Sequence, residues 1–502
     1  MSLRGPRASV LIGWVVLSFA GPLFNGCMVG PDFHPPQTIA PSQWAGIENK
    51  PTEPYYATGG AAALTRWWDQ FNDPQLTALV EEGLRANLDI RIAQARLREA
   101  GATRAVTAGA LWPSFGASAG YQRVHTAGVT PSGQTADLFQ SGLNALWQLD
   151  FFGGQRRNIE SADANIHAAI EGIRDAQVNL IAEIALNYIQ LRGFQQEIAI
   201  AQENLISQKH TAEITHRLLK AGFDSALDVA NADSNVATTE AQIPVFEISA
   251  RQAIYALSVL LGRTPAELLE RLDPSAPLPG VPTQIPAGLP SDLLRRRPDI
   301  RQAEAKLHAA TAQIGAAVSE LFPSFSLTGS VTWNSHSVAS WWSAGSGSFG
   351  IGPSVTWPIF QGGAIVANIR LQEALRDEAF VTYQKSVLAA FQEVEDALIA
   401  FSREQDHHRH LYDATVANRK AVELSLLLYS AGQTDFLNVL TAQKSLYSSQ
   451  DALVQSDEQI AADLITLFKA LGGGWDFTPS RLSATPLSPV NSSRGTKGEI
   501  QP

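Results

Sequence analysis

Four groups of residues carry side chains or spacings that could do chemistry. Gly345-Ser346-Gly347-Ser348-Phe349-Gly350 fits the spacing G-x-G-x-x-G, which lets backbone N–H groups approach a pyrophosphate. That chemistry requires the run to follow a strand and open a helix. Here it precedes a strand-like alternation, so it predicts a flexible connection between strands. His407, His408 and His410 are of metal-ligand type. Adjacent positions on a helix point to different faces, which predicts a solvated surface instead of a metal site. Arg295-Arg296-Arg297 forms a basic cluster near a helix start, expected to pair with acids or stay exposed. The fourth group is Cys27, the only thiol of the chain. No Walker A run is present, so ATP hydrolysis is not expected. No nucleophile–base arrangement points to an enzyme, and no cofactor or metal is called for.

Cys27 has the context of a modification site. Arg4 and Arg7 precede an apolar run from Val10 to Ala20. That run is too short to span a bilayer but fits a secretory signal. Leu23-Phe24-Asn25-Gly26-Cys27 then resembles a bacterial lipoprotein cleavage box, with Phe24 and Asn25 departing from the usual residues. The resemblance implies removal of residues 1–26 and a lipidated Cys27 carrying an N-acyl and an S-diacylglycerol group. Each buried CH2 of such chains contributes about 0.8 kcal/mol, so several chains anchor firmly. Met28 stands where an Asp would favour the inner membrane, so the same analogy implies outer-membrane sorting.

Composition narrows the remaining classes. The chain has 502 residues, a formal net charge of −11 and 17% charged residues. One cysteine excludes a disulfide framework and a Cys-rich zinc module. The acidic balance argues against a nucleic-acid binder. Eleven Trp and 21 Phe need an apolar environment, and 45% apolar content allows a large core or several domains.

An internal repeat organises everything after the first residues. Asn87-Leu88-Asp89-Ile90-Arg91 is echoed by Arg297-Pro298-Asp299-Ile300-Arg301, and Trp112-Pro113-Ser114-Phe115 by Phe322-Pro323-Ser324-Phe325. Ala221-Gly222 returns as Ala431-Gly432, and Leu261-Gly262 as Leu471-Gly472, all at a shift of 210. Phe152-Gly153-Gly154 aligns with Gln361-Gly362-Gly363 at 209, which predicts a small indel. Two tandem copies follow. The expected layout is a signal peptide at 1–26, a lipid-anchored extended tether at 27–65 and a first repeat at 66–273. A Pro-rich linker at 274–290, a second repeat at 291–474 and a disordered tail at 475–502 complete it.

The elements in each copy have two periods. Phe380, Val387, Val394 and Phe401 recur every seven residues, with Tyr383, Ala390 and Ala397 at the offset. In the first copy Ile166, Ile173 and Leu180 form one row, and Ile170, Ile184, Leu191, Ile198 and Leu205 another. A helix of about 65 residues runs about 100 Å, far more than a globule needs. A second helix follows each, from about Ser225 to Leu261 and Asp435 to Leu471, with Gly222 and Gly432 at the turns. Period-2 alternation marks strands at about 113–124 and 140–151, and again at about 324–334 and 349–359. Phe325, Leu327, Gly329, Val331 and Trp333 lie on one face, against Ser326, Thr328, Ser330, Thr332 and Asn334 on the other. Strand length and an uncharged polar face favour a transmembrane barrel over a soluble sandwich. The fold class is therefore mainly α with a β-barrel part, built from two repeats of a long antiparallel helical hairpin plus two strands. Four strands cannot close a barrel, and open edges are not tolerated in lipid. Strands must then be shared between copies. Three copies give 12 strands, with two or four arithmetically open.

At this point the sequence resembles the TolC-like outer-membrane factor family, in its lipoprotein branch serving RND-type tripartite efflux. The resemblance rests on Cys27-Met28-Val29-Gly30-Pro31-Asp32-Phe33, Trp67-Trp68 with Phe71 and Asp73-Pro74, Gly288-Leu289-Pro290-Ser291 with Leu293-Leu294-Arg295-Arg296-Arg297-Pro298-Asp299-Ile300, and Tyr429 to Gln443. It covers roughly residues 27–475. It implies a homotrimer in the outer membrane of a Gram-negative bacterium, with a 12-stranded barrel on a periplasmic helical tunnel. It also implies docking to a periplasmic adaptor and an inner-membrane RND-type pump. Family gating rings map to Leu437 and Thr441. Leu437 keeps the apolar constriction, whereas Thr441 replaces the usual Asp. Lys444 stands where Arg is frequent. Gly222, Gly432, Asp228 and Asp435 mark the tips expected to meet the adaptor. The implied role is passive export of drugs or other toxic small molecules. A type I protein-secretion duct and a pore-less lipid-anchored coiled-coil scaffold are the competing readings.

Overall fold

A computed structural model of the chain describes residues 28–37, 40–41, 44–45, 56–57, 62–126, 134–282, 285–286 and 290–475. The expected signal segment 1–26, the expected lipidation site Cys27 and the residues from 476 lie outside these residues. Each repeat contributes the same five main elements. The first has α2 (Leu88–Gly109), β1 (Ser114–Thr126), β2 (Gln134–Leu149), α3 (Gly154–Lys220) and α4 (Ala226–Leu260), preceded by α1 (Pro74–Ala86). The second has α5 (Pro298–Ser319), β3 (Ser324–Ser335), β4 (Gly347–Thr356), α6 (Ala364–Ser430) and α7 (Phe436–Ala470). The paired helices match in length. α2 and α5 have 22 residues, α3 and α6 have 67, and α4 and α7 have 35.

Helix ends follow from local chemistry. Asp73 caps α1 by accepting from the N–H groups of Gln75 and Leu76, and Pro74 fills the first turn. Asn87 caps α2 in the same way. Gly153 and Gly363 open α3 and α6. Their separation of 210 corrects the shift of 209 expected from the glycine pairs. Gly154 aligns with Ala364, so no indel is needed there.

The sheet has the order β1-β2-β3-β4, all antiparallel. Register sorts the two faces cleanly. Ala117, Leu143, Val331 and Phe349 lie side by side, as do Phe115, Ala145, Gly329 and Ile351. On the opposite face run Ser118, Gly142, Thr332 and Ser348, and Gly116, Asn144, Ser330 and Gly350. One face is therefore apolar and the other small and hydroxyl-rich. β2 starts six residues before the expected position and stops before Asp150, whose carboxylate instead accepts from the N–H groups of Gln155 and Arg156 at the start of α3. β4 ends at Thr356, short of the expected 359, because Pro358 has no N–H for the ladder. The G-x-G-x-x-G run spans the end of the β3–β4 connection and the start of β4.

Aromatic rings flank both ends of the apolar face. Near the helices, Trp147 and Trp357 donate to the carbonyls of Leu111 and Leu321, Phe151 meets Phe325, and Phe152 stacks on Phe322. At the other end Tyr121, Phe139 and Trp341 touch in sequence, and Trp333 contacts Trp342. Eight residues of β3 separate Phe325 from Trp333, roughly 26 Å along the strand.

The main core sits where α1, α3, α4, α6 and α7 meet. The expected seam of α6 is buried at Tyr383, Val387, Ala390, Val394, Ala397 and Phe401. In α3 the buried positions are Leu180, Ile181, Ile184, Tyr188, Ile189 and Leu191, whereas Ile166, Ile170, Ile173, Ile198 and Leu205 are only part-buried. Trp67 stacks on Phe468 with centroids 5.0 Å apart, and both are buried.

Three expectations about the flanking segments change. The residues after Cys27 form an extended strap that is docked along the helices. Val29 donates to the Phe152 carbonyl, Arg157 holds the Val29 carbonyl at 3.2 Å and Asp32 at 2.6 Å, and Phe33 stacks on His308. In the Pro-rich linker, Ile285–Pro286 pairs in parallel with Tyr56–Ala57. Trp475 belongs to the ordered body, buried beneath the guanidinium groups of Arg174 and Arg301. The arginine cluster has a structural task. Arg296 and Arg297 donate to the carbonyls of Gly472 and Ala470 at the end of α7, and Arg297 also pairs with Asp299 and Glu393. Arg295 is exposed. His407 meets Glu404 and His408 meets Asp457, so the two imidazoles serve different partners.

Candidate functional site

The two hairpin turns lie side by side at the far end of the long helices. α3 ends at Lys220 and α6 at Ser430, and each chain reversal needs a left-handed residue. Gly222 and Gly432 supply it, with φ of +81° and +70°. Phe223 donates to the Leu218 carbonyl and Gly222 to Leu219, while Gln433 donates to Leu428 and Gly432 to Tyr429. Both turns are thus Schellman motifs. Ser225 caps α4, accepting from the Asp228 N–H and donating to its carboxylate. Asp435 caps α7 through its backbone, with no side-chain capping bond. Asp435, Gly222 and Gly432 are exposed, and Asp228 is half-buried.

A small core holds the tips together. Tyr429, Phe436, Val439 and Leu440 of the second hairpin pack with Ala212 and Ala232 of the first. Tyr429 is the centre of it. Its hydroxyl donates to the Asp224 carboxylate in the first turn and lies 3.2 Å from the Thr215 hydroxyl. Burial, followed by the neighbouring Asp224, pushes the Tyr429 phenol well above the ordinary tyrosine range. Tyr429 is therefore a permanent donor at neutral pH, and it ties α6 to the turn of the first repeat. Gln443 extends the link by donating to Thr211 at 2.8 Å.

The expected gate residues occupy the other side of α7. Leu437, Thr441 and Lys444 fall at i, i+4 and i+7, on one face. All three are exposed, Leu437 at 63%. Phe436, Val439, Leu440 and Gln443 point to the chain's own packing instead. Thr441 donates to the Leu437 carbonyl, so its hydroxyl is spent on its own helix and puts no charge on that face. Lys444 makes no ion pair among the described residues. The face is thus an apolar leucine, a neutral threonine and a lysine. It supplies no reactive group.

Tyr429 and Asp224 were not singled out from sequence as site residues. A signal exists in the repeat. Position 429 aligns with Leu219, and 224 with Thr434, so neither partner of this link recurs in the other repeat.

The sequence pattern of the outer membrane efflux protein family matches residues 79–263 and 289–473, one match per repeat. The chain belongs to the outer membrane efflux proteins. Among its relatives, Nodulation protein T of Rhizobium leguminosarum bv. viciae is 34% identical over 454 residues, covering 90% of this chain and 92% of the relative. The toluene efflux pump outer membrane protein TtgC of Pseudomonas putida is 32% identical over 461 residues, covering 90% and 94%. The solved outer-membrane channel OprN aligns with a TM-score of 0.82 at 36% identity, covering 89% of this chain and all of that one. The open-state MtrE channel of Neisseria gonorrhoeae aligns at 0.76 and 28% identity.

The geometry takes its meaning from this family. This efflux protein resides in the outer membrane and extends into the periplasm. The apolar face of its sheet is the lipid-facing band, bounded by two aromatic girdles. The hydroxyl face is the polar lining. The long hairpins are the periplasmic part, and the fold is that of an outer-membrane channel serving efflux.

Proposed function

We propose that three copies of the chain close into one passive duct, with a 12-stranded barrel above a tube of 12 long helices. The observation that carries this is the four-stranded sheet whose outer strands, β1 and β4, each pair on one side only among the described residues. Such edges must be satisfied in lipid, and neighbouring copies satisfy them. A second support is the exposed apolar stripe Val245, Ile248, Tyr255 and Val259 along α4, at the spacing of a coiled-coil seam.

In this reading Cys27 carries the lipid anchor, and the strap after it brings the anchor to the lower rim of the barrel. Leu437 from each copy forms an apolar ring at the periplasmic end, and Tyr429 with Asp224 holds that end closed. The tips around Gly222, Gly432, Asp228 and Asp435 receive a periplasmic adaptor, and an inner-membrane RND-type pump supplies the energy. The cargo is small organic compounds. Relatives carry the names of antibiotic, toluene and pyoverdine exporters, which supports this class. No catalytic step is required of the chain.

Planar-bilayer recording of the purified oligomer tests the proposal. Low, flickering conductance is expected for the native protein, with a large increase for Leu437→Ser. Oligomers that insert yet never conduct, with or without that substitution, would sink the duct.

A further inference from the structure

The seam between α3 and α7 joins the two repeats, and its character changes part-way along. Toward the barrel it is aliphatic, through Ile184, Leu191, Leu464 and Phe468, all in one cluster. Toward the tips it is amide and hydroxyl, through Asn204 with Gln450 and Thr211 with Gln443. Two carboxylates stand at the change, Glu197 on α3 and Glu458 on α7.

Their placement is specific. Gly193 and Glu197 are four residues apart and share one face of α3. A glycine inside a 67-residue helix is unfavourable relative to alanine. Here a Cβ at 193 would overlap the Glu458 carboxylate, the flexible end of that side chain. Glu458 therefore rests directly on the backbone of α3. Glu197 is only 5% exposed. Its Oε1 accepts from Gln455 at 3.3 Å, and its Oε2 has no hydrogen-bond partner among the described residues. Among the described residues no cation shifts either carboxylate. Asp451 is the next charge beside Glu197. On other faces of α7, His408 of α6 is engaged with Asp457, and Glu404 of α6 accepts from Ser456. Tyr447 of α7 donates to Gln242 of α4.

We propose that Glu197 and Glu458 form a proton-operated clamp between the two repeats, sited where the fixed half of the α3–α7 seam gives way to the separable half. With a proton bound, the orphan oxygen gains a donor and the two helices hold together. With both groups ionised, repulsion loosens the seam and eases opening of the tips. Burial, reinforced by the charge of Glu197, pushes Glu458 up to about 7. Burial, opposed by the Gln455 amide and reinforced by Asp451, pushes Glu197 up to about 6. The folded state binds these protons more tightly than the unfolded chain. The stabilisation is thus complete below the ordinary glutamate value of 4.5 and is lost as pH rises through about 6 to 7.

The effect on opening rests on the tips being the moving part, so the test reads the clamp and the opening separately. Hydrogen–deuterium exchange of the full-length oligomer, corrected for intrinsic rates, is followed at 190–200 and 452–462 at pH 5 and pH 8. The native protein should be several-fold better protected at pH 5. Glu458→Gln and Glu197→Gln should each remove at least half of that step, while His408→Gln leaves it intact. A native step that persists in full in both glutamine variants, or no native step, overturns the clamp. Should either variant fail to assemble, infrared titration of the native protein decides. A protonated-carboxyl band lost near pH 6 to 7 supports the clamp, and loss of all such absorption near 4.5 overturns it. Bilayer recording then reads the consequence. More frequent opening at pH 8 is expected, and equal opening at both pH values overturns the effect on the tips. The exchange step is measurable whether or not the protein conducts, so failure of the duct reading is distinguishable from failure of the clamp.

Discussion

The α3–α7 seam is one contact built in two ways. In the half toward the barrel, Ile184, Ile189, Leu191, Leu464, Ile465 and Phe468 are all fully buried. In the half toward the tips, Asn204, Thr211 and Thr215 of α3 meet Gln450 and Gln443 of α7 and Tyr429 of α6 through hydrogen bonds. The two halves have different energetics. Aliphatic burial is non-directional and is lost only when water enters. A hydrogen bond between neutral groups nets about 1 kcal/mol, because water can replace either partner. A polar seam can therefore part and re-form, whereas an aliphatic seam resists separation. A channel with a fixed body and a movable end needs both.

The largest expected effect tests the fixed half. Phe468→Ala removes a buried ring stacked on Trp67, and such truncations cost about 3–5 kcal/mol. Thermal unfolding should show a large loss of stability, and a loss near that of an exposed substitution would break the comparison. Tyr429→Phe is next. It leaves Asp224 without its donor, a cost of about 1–3 kcal/mol confined to the tips. Conductance should rise while the core at Trp67 keeps its fluorescence, and unchanged conductance would remove Tyr429 from the lock.

The double substitution Asn204→Leu with Gln450→Leu makes one rung of the movable half resemble the fixed half. Replacing both partners by apolar groups of similar size is near neutral to stability. The expected readout is a channel harder to open, with greater antibiotic susceptibility of cells that depend on it. Easier opening would contradict the idea that polarity makes this half separable. The smallest stability effect belongs to Leu437→Ser. Leu437 is exposed, so its stability change should stay within about 0.5 kcal/mol. Leak of a large antibiotic into cells should nonetheless increase, and unchanged susceptibility would count against a constriction at Leu437.

Much of the fold is legible in the sequence because it repeats. The helix starts at Ser225 and Asp435 follow from cap residues, and the seam of α6 follows from a strict heptad in Val387, Val394 and Phe401. Strand faces follow from period-2 alternation, which register then shows to be continuous across four strands. Other features need contacts between distant residues. The strap at Met28–Gln37 reads as an extended tether by its prolines, and only the buried Arg157 shows where it docks. β2 reads short because Asp137 and Leu138 invert the alternation, while pairing with β1 extends it to Gln134. The Tyr429–Asp224 link joins residues 205 positions apart, and no local pattern announces it.

The sequence by itself determined the long helices, the two faces of the sheet and the two-fold repetition. These are consequences of periodicity and of backbone preferences at Gly, Pro and cap residues, which act within a few residues of each other. Only the tertiary structure decided which side chains of the first repeat meet those of the second. Gly193 under Glu458, Asn204 on Gln450 and Tyr429 on Asp224 depend on how two 100 Å-scale hairpins, roughly that length at 1.5 Å per residue, lie against each other. That relation is fixed by the shared core at Trp67, Ile184 and Phe468. Packing of this kind is a sum over many weak contacts between segments far apart in the chain, so no single stretch of residues encodes it.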